Sequence, residues 1–512
     1  MKLTTAQRDR AAGVLLATAA GDALGVPYEF ATPPPPGVEA AMTGGGLGNF
    51  APGEWSDDTS MGVAIARVAA TGADLTTPAA LDQIADGFLE WHRSNPPDIG
   101  IQTSSVLRAT RTRLTSGEAG TGSVMAEEAA AYSAARAHSA GNGALMRTAP
   151  VALAHLDDRG RLAQAARAVA ELTHGDPLAG DSCVLWGEAI RAAVLEGRFA
   201  ITAGLDLLPE ARGAQWQAWL NDALDVDRNR SERVPGERFR PNGFTVTALQ
   251  AAVAAIVTTD VPERMPCRHL QLALHSAVRI GDDTDTVAAI AGGLLGARWG
   301  ASAVPWRWRR ALNGWPGLDG IDLVSLAALT VNGGQPDHKG WPAVDVVPYS
   351  EWASSNPVPH PHDDGVLLGS HATRGHEVDA VVSMCRVGRN QECFAGATEV
   401  IHSRLMDSED PAANENLEFI LYDAADAVRG LREEGKRVLL HCVAAEQRTP
   451  SVAVAYGVLL GHSVADARRD VRTALASTRG RGRVWDAVSV LADPSDDSAT
   501  TVERSGWTGG CW

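Results

Sequence analysis

Apolar residues fall at helical spacing through much of the first part of the chain. Met61, Ala64, Ile65 and Val68 share one helical face, and so do Val287, Ile290, Ala291 and Leu294. Residues 1–315 are rich in Ala and Leu and poor in alternating β-branched runs, which predicts an all-α domain. The periodicity stops at 330–342, where Asn, Gly, Gln, Pro and Asp crowd together, and a second boundary-like stretch covers 354–365. Beyond it, 379–385 and 437–442 read as buried strands, while 417–431 and 452–460 have helical spacing. Strand and helix alternate there, which predicts an α/β fold. The expected organisation is multidomain: an all-α domain over 1–315, a linker and boundary region over 316–365, an α/β domain over 366–492, and a Ser-, Asp-, Thr- and Gly-rich tail over 493–512 that is expected to be disordered.

Composition narrows the function classes. At 512 residues the chain exceeds one hydrophobic core. Hydrophobic residues make up 45% and charged residues 21%, the balance of a soluble globular protein. A net charge of −17 repels phosphate backbones and anionic lipid, which argues against nucleic acid as the main partner and against membrane docking. A small anionic substrate stays possible at a local cationic or metal site. Cys183, Cys267, Cys385, Cys393, Cys442 and Cys511 form no CxxC pair and are expected to be free thiols in a reducing compartment. Arg8, Asp9 and Arg10 precede the short apolar run 11–20, which Asp22 ends, so a signal peptide is not expected and a cytoplasmic location is.

Two short acidic motifs stand apart from this background, Trp-Ser-Asp-Asp-Thr-Ser-Met at 55–61 and Ile-Gly-Asp-Asp-Thr-Asp-Thr at 280–286. Each sits in a loop just before an apolar helix. Asp, Ser and Thr are good N-cap residues, so helix capping is one reading. Each motif nevertheless holds more carboxylates and hydroxyls than one cap uses. If the loops meet, their charges repel unless cations neutralise them, and hard oxygen ligands suit Mg²⁺, Mn²⁺ or Ca²⁺ rather than zinc.

With these motifs, the first part of the chain resembles the ADP-ribosylglycohydrolase family. The matching segments occur in order: Gly-Asp-Ala-Leu-Gly-Val-Pro-Tyr-Glu-Phe at 21–30, Ser56 to Thr59, His-Ser-Ala-Gly-Asn-Gly-Ala-Leu-Met-Arg at 138–147, Thr173-His174 followed by Pro177, Gly-Phe-Thr-Val-Thr-Ala-Leu at 243–249, and 281–286. The resemblance implies an all-α fold holding two Mg²⁺ or Mn²⁺ ions. It implies Ser56, Asp57, Asp58, Asp283, Asp285 and Thr286 as ligands and Glu29 near the scissile bond. It also implies substrate contacts from Ser139, Gly141, Asn142, Gly143 and His174. Read singly, Glu29 is a surface carboxylate, Asn142 a tight turn and His174 a helix C-terminal residue. The sequence departs from the family at Ser56, where Thr is usual, at Asp282, where Gly is common, and at Arg279, where Asn is common. Arg279 and Asp282 lie three apart and are spaced to pair.

The second constellation is His-Cys-Val-Ala-Ala-Glu-Gln-Arg-Thr at 441–449, between a strand and a helix. Five residues separate Cys442 from Arg448. Such a loop can wrap a phosphate with inward amides, a helix N-terminus favours the anion and the thiolate, and Arg448 can fork two phosphoryl oxygens. Thr449 is placed to bond the sulfur. A buried strand-end Cys followed by an unrelated Arg is the plainer reading. The pattern is similar to the signature of protein-tyrosine and dual-specificity phosphatases, and that resemblance implies a phosphocysteine intermediate and no cofactor in this domain. Asp410 and Asp407, 32 and 35 positions before Cys442, are rival general acids. Asp410 fits the compact phosphatases better, and either can instead cap the helix near Asn416. Ala445 stands where such loops often carry Gly, which is a strained position if φ is positive.

Two functions stay open on these residues. One is a hydrolase of ADP-ribosylated proteins or small molecules fused to a phosphatase acting on a phosphorylated substrate. The other is binding of ADP-ribose or a phosphorylated ligand without turnover in one or both domains.

Overall fold

The computed structural model describes residues 1–349, 356–394 and 396–492, so the tail expected from Asp493 and the 350–355 part of the boundary region lie outside the described residues. The chain divides into two compact units, Met1–Ala343 and Val344–Trp512.

The first unit is helical. Its only strands among the described residues are the two-residue antiparallel pair Asn313–Gly314 and Leu318–Asp319. The opening helix Thr5–Gly25 starts with a capping box between Thr4 and Gln7. It is long and apolar enough to cross a membrane, but it lies mostly buried inside the unit. It packs along Thr284–Trp299 with almost nothing between the two backbones. A Cβ on Gly21 would overlap the Ala288 carbonyl, one on Gly292 the Ala17 carbonyl, and one on Gly25 the Asp285 backbone. Only hydrogen fits at these crossings, and the close approach sets Asp22 beside Asp285. The helical faces read from the sequence are realised: Met61 and Ile65 are buried in the helix Asp57–Ala69, and Val287, Ile290 and Leu294 in Thr284–Trp299. Each such buried side chain is worth about 1.5–3 kcal/mol relative to exposure.

The region expected to be linker from 316 instead contributes a further helix to this unit, Gly320–Val331. Asp319 and Asp322 form its capping box, and Leu323, Val324 and Ala327 are buried, with the helix packed on Thr5–Gly25. The turn formers that follow hide how apolar this short segment is.

The second unit is α/β. Its five-stranded sheet runs in the order Val358–His360, Asp363–Ser370, Val438–Cys442, Ala380–Ser383, Glu399–His402. All pairings are parallel except the first, an antiparallel edge. The central strand Val438–Cys442 is buried along its whole length, as a parallel strand covered on both faces must be. The helices Leu417–Glu433 and Arg448–Leu459 pack against each other. Cys183, Cys267, Cys385, Cys393 and Cys442 are buried and form no disulfide with one another, and Cys511 lies outside the described residues.

Candidate functional site

Both acidic motifs stand at helix N-termini, yet neither caps in the expected way. Ser56 occupies the N-cap of Asp57–Ala69 and Asp283 that of Thr284–Trp299, and neither side chain makes the capping hydrogen bond. Ser56 Oγ instead donates to Asp58 Oδ2 at 3.1 Å. The amides left over are taken by a residue from another helix: Ser56 N donates to Asp22 Oδ1 at 2.8 Å and Thr59 N to Asp22 Oδ2 at 2.9 Å. That frees the motif carboxylates to face one another.

The two motifs meet. Thr286 Oγ1 donates to Asp58 Oδ2 at 3.3 Å across 228 residues of sequence. Carboxylate oxygens of Asp22, Asp58 and Asp285 lie within 4.8 Å of one another, and those of Glu29, Asp283 and Asp285 do the same. Burial, followed by the charges of neighbouring aspartates, pushes the carboxyls of Asp57, Asp58 and Asp285 well above the usual range. Burial raises Asp283 as well. Glu29 rises to about 9, first through burial and then through Asp98, Asp283, Asp57 and Asp22. Asp58 Oδ1 is buried with no hydrogen-bond partner. Crowded carboxylates, two adjacent hydroxyls and an orphaned oxygen make a donor set that fits a hard divalent cation.

Around this cluster the other expected residues take identifiable places. Asn142 Nδ2 donates to Asp283 Oδ2 at 2.7 Å and to Asn242 O at 3.1 Å, so Asn142 braces the second acidic loop as well as forming a turn. Asn242 Oδ1 accepts from Asp283 N at 3.0 Å. Ser139 Oγ donates to Asp176 Oδ2 at 3.3 Å. Gly141 and Gly143 lie against the ring of His174, where a Cβ on either would come 3.3 or 3.2 Å from Nε2. Glu29 is seated by its neighbour, since Phe30 N donates to Asp282 O at 2.7 Å. Asp282 itself holds φ at 61°, which accounts for the usual glycine there. The expected pairing of Arg279 with Asp282 is not made among the described residues. Arg279 Nη2 donates to Val38 O at 2.9 Å instead, because its side chain turns toward the 38–39 segment. A cavity of about 690 Å³ opens beside Ser56 and Asp57, with Trp55, Trp91, Asp98 and Trp315 in its wall.

In the second unit Cys442 ends the central strand, and the helix Arg448–Leu459 begins after five intervening residues. The intervening loop is held from outside: Ser477 Oγ donates to Ala445 O at 2.9 Å, Arg479 N to Glu446 O at 2.8 Å, and Gln447 Nε2 to Arg481 O at 2.7 Å. Ala445 has φ at 56°, the left-handed region that glycine favours. Arg448 Nη1 donates to Met384 O at 2.9 Å and Leu405 O at 3.2 Å, which anchors the guanidinium at the loop base. Thr449 Oγ1 donates to Gly369 O at 3.3 Å, so its hydroxyl is engaged by the neighbouring strand where a bond to the Cys442 sulfur was expected. Asp410 accepts from Ala412 N at 3.0 Å and caps the short turn Pro411–Ala413. Asp407 Oδ1 lies 4.0 Å from Arg479 Nη1, and Arg479 pairs with Glu446 of the loop at 2.8 Å. Of the two acids, Asp407 is the one linked to the loop.

Residues 3–337 match the family model described as ADP-ribosylglycohydrolase. The chain belongs to the ADP-ribosylglycohydrolase family. It is 29% identical over 309 residues to ADP-ribosyl-dinitrogen reductase glycohydrolase of Rhodospirillum rubrum, which covers 60% of this chain and 90% of that protein. It is 27% identical over 302 residues to ADP-ribosylarginine hydrolase Tri1 of Pseudomonas putida, covering 59% and 73%. Among solved structures, Tk-PTP in the active form aligns with 25% of this chain and 90% of its own at 22% identity, with a TM-score of 0.20.

Sequence reasoning missed several residues of the glycohydrolase unit. Asp22 ends the apolar run 11–20, yet Ala23 and Leu24 carry the apolar stretch past it, and a carboxylate so placed is itself a signal of a buried function. Asn242 precedes the segment 243–249, and Arg147 ends the segment 138–147. Asp98 gave no local signal. It follows Pro96 and Pro97 in a loop, and only the fold brings its charge onto Glu29 and Asp57.

Proposed function

We propose that the first unit is a cation-dependent hydrolase that cleaves the glycosidic bond between ADP-ribose and its acceptor. The observation that carries this reading is the meeting of the two acidic motifs through Thr286 and Asp58 in a buried, carboxylate-rich cluster. Ser56, Asp57, Asp58, Asp283, Asp285 and Thr286 would hold two Mg²⁺ or Mn²⁺ ions. Such ions polarise a ligand oxygen and lower the pKa of water. The chain's own residues supply the rest. Asp22 fixes the first loop through two backbone amides, and Asn142 ties the second loop to the Gly141–Gly143 turn. Glu29, with its carboxyl raised by burial and surrounding charge, holds a proton beside the cluster and can pass it to the leaving acceptor atom as the bond to the anomeric carbon breaks; water adds at that carbon and gives its proton back to the Glu29 carboxylate. The cavity lined by Trp55, Trp91 and Trp315 leaves room for the acceptor. Release of ADP-ribose from an ADP-ribosylated protein tests this. EDTA and Asp283→Asn should each cut the rate by at least about 100-fold, and Mg²⁺ or Mn²⁺ should restore the chelated wild type. Release indifferent to EDTA would overturn the reading.

For the second unit we infer a phosphate-binding loop in which the Cys442 sulfur attacks phosphorus. The leaving oxygen takes a proton from Asp407, and water then hydrolyses the phosphocysteine. The strand–loop–helix setting of Cys442 and Arg448 supports it. A binding-only module is the second reading. The strained Ala445 and the engagement of Arg448 and Thr449 with backbone carbonyls favour it. Hydrolysis of an aryl phosphate that survives EDTA and is lost in Cys442→Ser supports the enzyme, whereas binding of phosphate without hydrolysis supports the module.

A further inference from the structure

Arg147 is an unusual residue to find 1% exposed, and among the described residues it makes no ion pair. Its guanidinium lies over the Phe88 ring at 4.5 Å. Nη1 donates to Met61 Sδ at 3.5 Å, and Nη2 donates to Val169 O at 3.4 Å and to Thr173 Oγ1 at 2.6 Å. The last is the shortest of its bonds and decides what Thr173 can do. Thr173 is fully buried, and its Oγ1 lies 2.8 Å from His174 Nδ1.

The direction of that second bond follows from donor and acceptor counting. Arginine only donates, so Thr173 Oγ1 accepts from it. The threonine proton then needs an acceptor, because a buried hydroxyl hydrogen without one costs about 1–3 kcal/mol. His174 Nδ1 is the partner within reach among the described residues. If Nδ1 carried the hydrogen, Oγ1 would accept twice and its own proton would be stranded. Nδ1 is therefore the bare nitrogen, and in a neutral ring the hydrogen sits on Nε2. The ring is neutral because burial, and then the nearby Arg147 charge, lower its pKa to about 3. Backbone support comes from Gln102, whose Nε2 donates to Thr173 O at 3.0 Å.

Nε2 faces the Gly141–Gly143 turn, where the glycines leave open the space that a Cβ would fill. No hydrogen bond to Nε2 is made by the described residues. We infer that Arg147 and Thr173 are positioning residues that fix His174 as its Nε2–H tautomer, so that it presents a donor to an oxygen acceptor of the ligand held at this turn. The inference rests on the ADP-ribose reading of the first unit. It adds that recognition here requires an acceptor oxygen, as a diphosphate or ribose hydroxyl offers, and that a ligand presenting a donor at this point is rejected.

The test uses the full chain with ¹⁵N-labelled histidine, and ADP-ribose with Mg²⁺ as the probe. Long-range ¹H–¹⁵N spectra should show pyrrole-type Nε2 and pyridine-type Nδ1 for His174, assigned by loss of its signals in His174→Gln. Thr173→Val should shift the ring toward a tautomer mixture and weaken ADP-ribose about tenfold by calorimetry, the loss of about 1.4 kcal/mol. Thr173→Ser, which keeps the hydroxyl, should restore both. Pyridine-type Nε2 in the wild type would overturn the inference without any variant. Wild-type affinity in a folded Thr173→Val protein would overturn it while leaving the glycohydrolase reading intact. No ADP-ribose binding by the wild type at all would overturn both.

Discussion

Asp58 shows the residue-scale tension in the acidic cluster. One of its oxygens accepts from two hydroxyls and the other has no partner. A buried charge held this way destabilises the metal-free fold, so neutralising it should help the fold and harm the chemistry. Asp58→Asn is expected to raise the chelated protein's stability by on the order of 1 kcal/mol in a denaturant titration, while cation-dependent ADP-ribose release falls at least about 100-fold. A loss of both would mean that Asp58 serves the fold. Ala445 is a simpler case. At φ 56° a non-glycine residue is strained by on the order of 1 kcal/mol, so Ala445→Gly should stabilise the second unit by about that amount, read as a higher denaturation midpoint of its transition. The positions of both residues could be singled out in the sequence, Asp58 by a motif and Ala445 by a missing glycine. Their environments could not, because burial and φ are set by segments far away in the chain.

At the scale of elements, the site is made where two helix N-termini, Asp57–Ala69 and Thr284–Trp299, converge under the crossing of Thr5–Gly25. The periodic faces of these helices were legible, and so were the acidic motifs at their starts. The crossing was not: glycine within a helical pattern reads as a weakness, and only the partner backbone shows that it is a contact. The Gly320–Val331 helix was hidden in a similar way, by the turn formers that follow it. In the second unit, Ala380–Ser383 and Val438–Cys442 were legible as apolar runs. Asp363–Ser370 was not, since its acidic start hides a strand whose last five residues are buried. The crossing yields a prediction. Gly292→Ala places a methyl group against the Ala17 carbonyl and should cost about 1–3 kcal/mol, seen as a lower midpoint of thermal unfolding. Because the same crossing sets Asp22 beside Asp285, cation affinity measured by calorimetry should fall with it. A variant that loses stability but keeps full affinity would show that the cluster does not depend on the crossing.

For the whole molecule, the raised carboxyls fix the sign of a linkage between pH and stability. In the absence of cations the folded state holds protons more tightly than the unfolded chain does at Glu29, Asp57, Asp58, Asp283 and Asp285. Stability present at low pH is therefore lost as pH rises from the ordinary carboxylate range of about 4 toward the folded value, about 9 at Glu29. Thermal scans in EDTA should show the first unit melting lower at pH 8 than at pH 6. Mg²⁺ or Mn²⁺ should raise the midpoint more at pH 8, where protons compete less for the ligands. An EDTA-treated unit that is more stable at pH 8 would contradict the burial of charge described here. The loop proposed for the second unit uses a thiol and an arginine, so its transition should be indifferent to the cation.

The glycine crossing has one further consequence, for how the protein can change over generations. A contact made by backbone alone leaves no side-chain volume to exchange, so a larger residue on one helix cannot be offset by a smaller one on the other. Most buried positions can drift in such pairs. These cannot, and a full substitution scan should find them intolerant as a group, including Gly292, about two helical turns from Asp285.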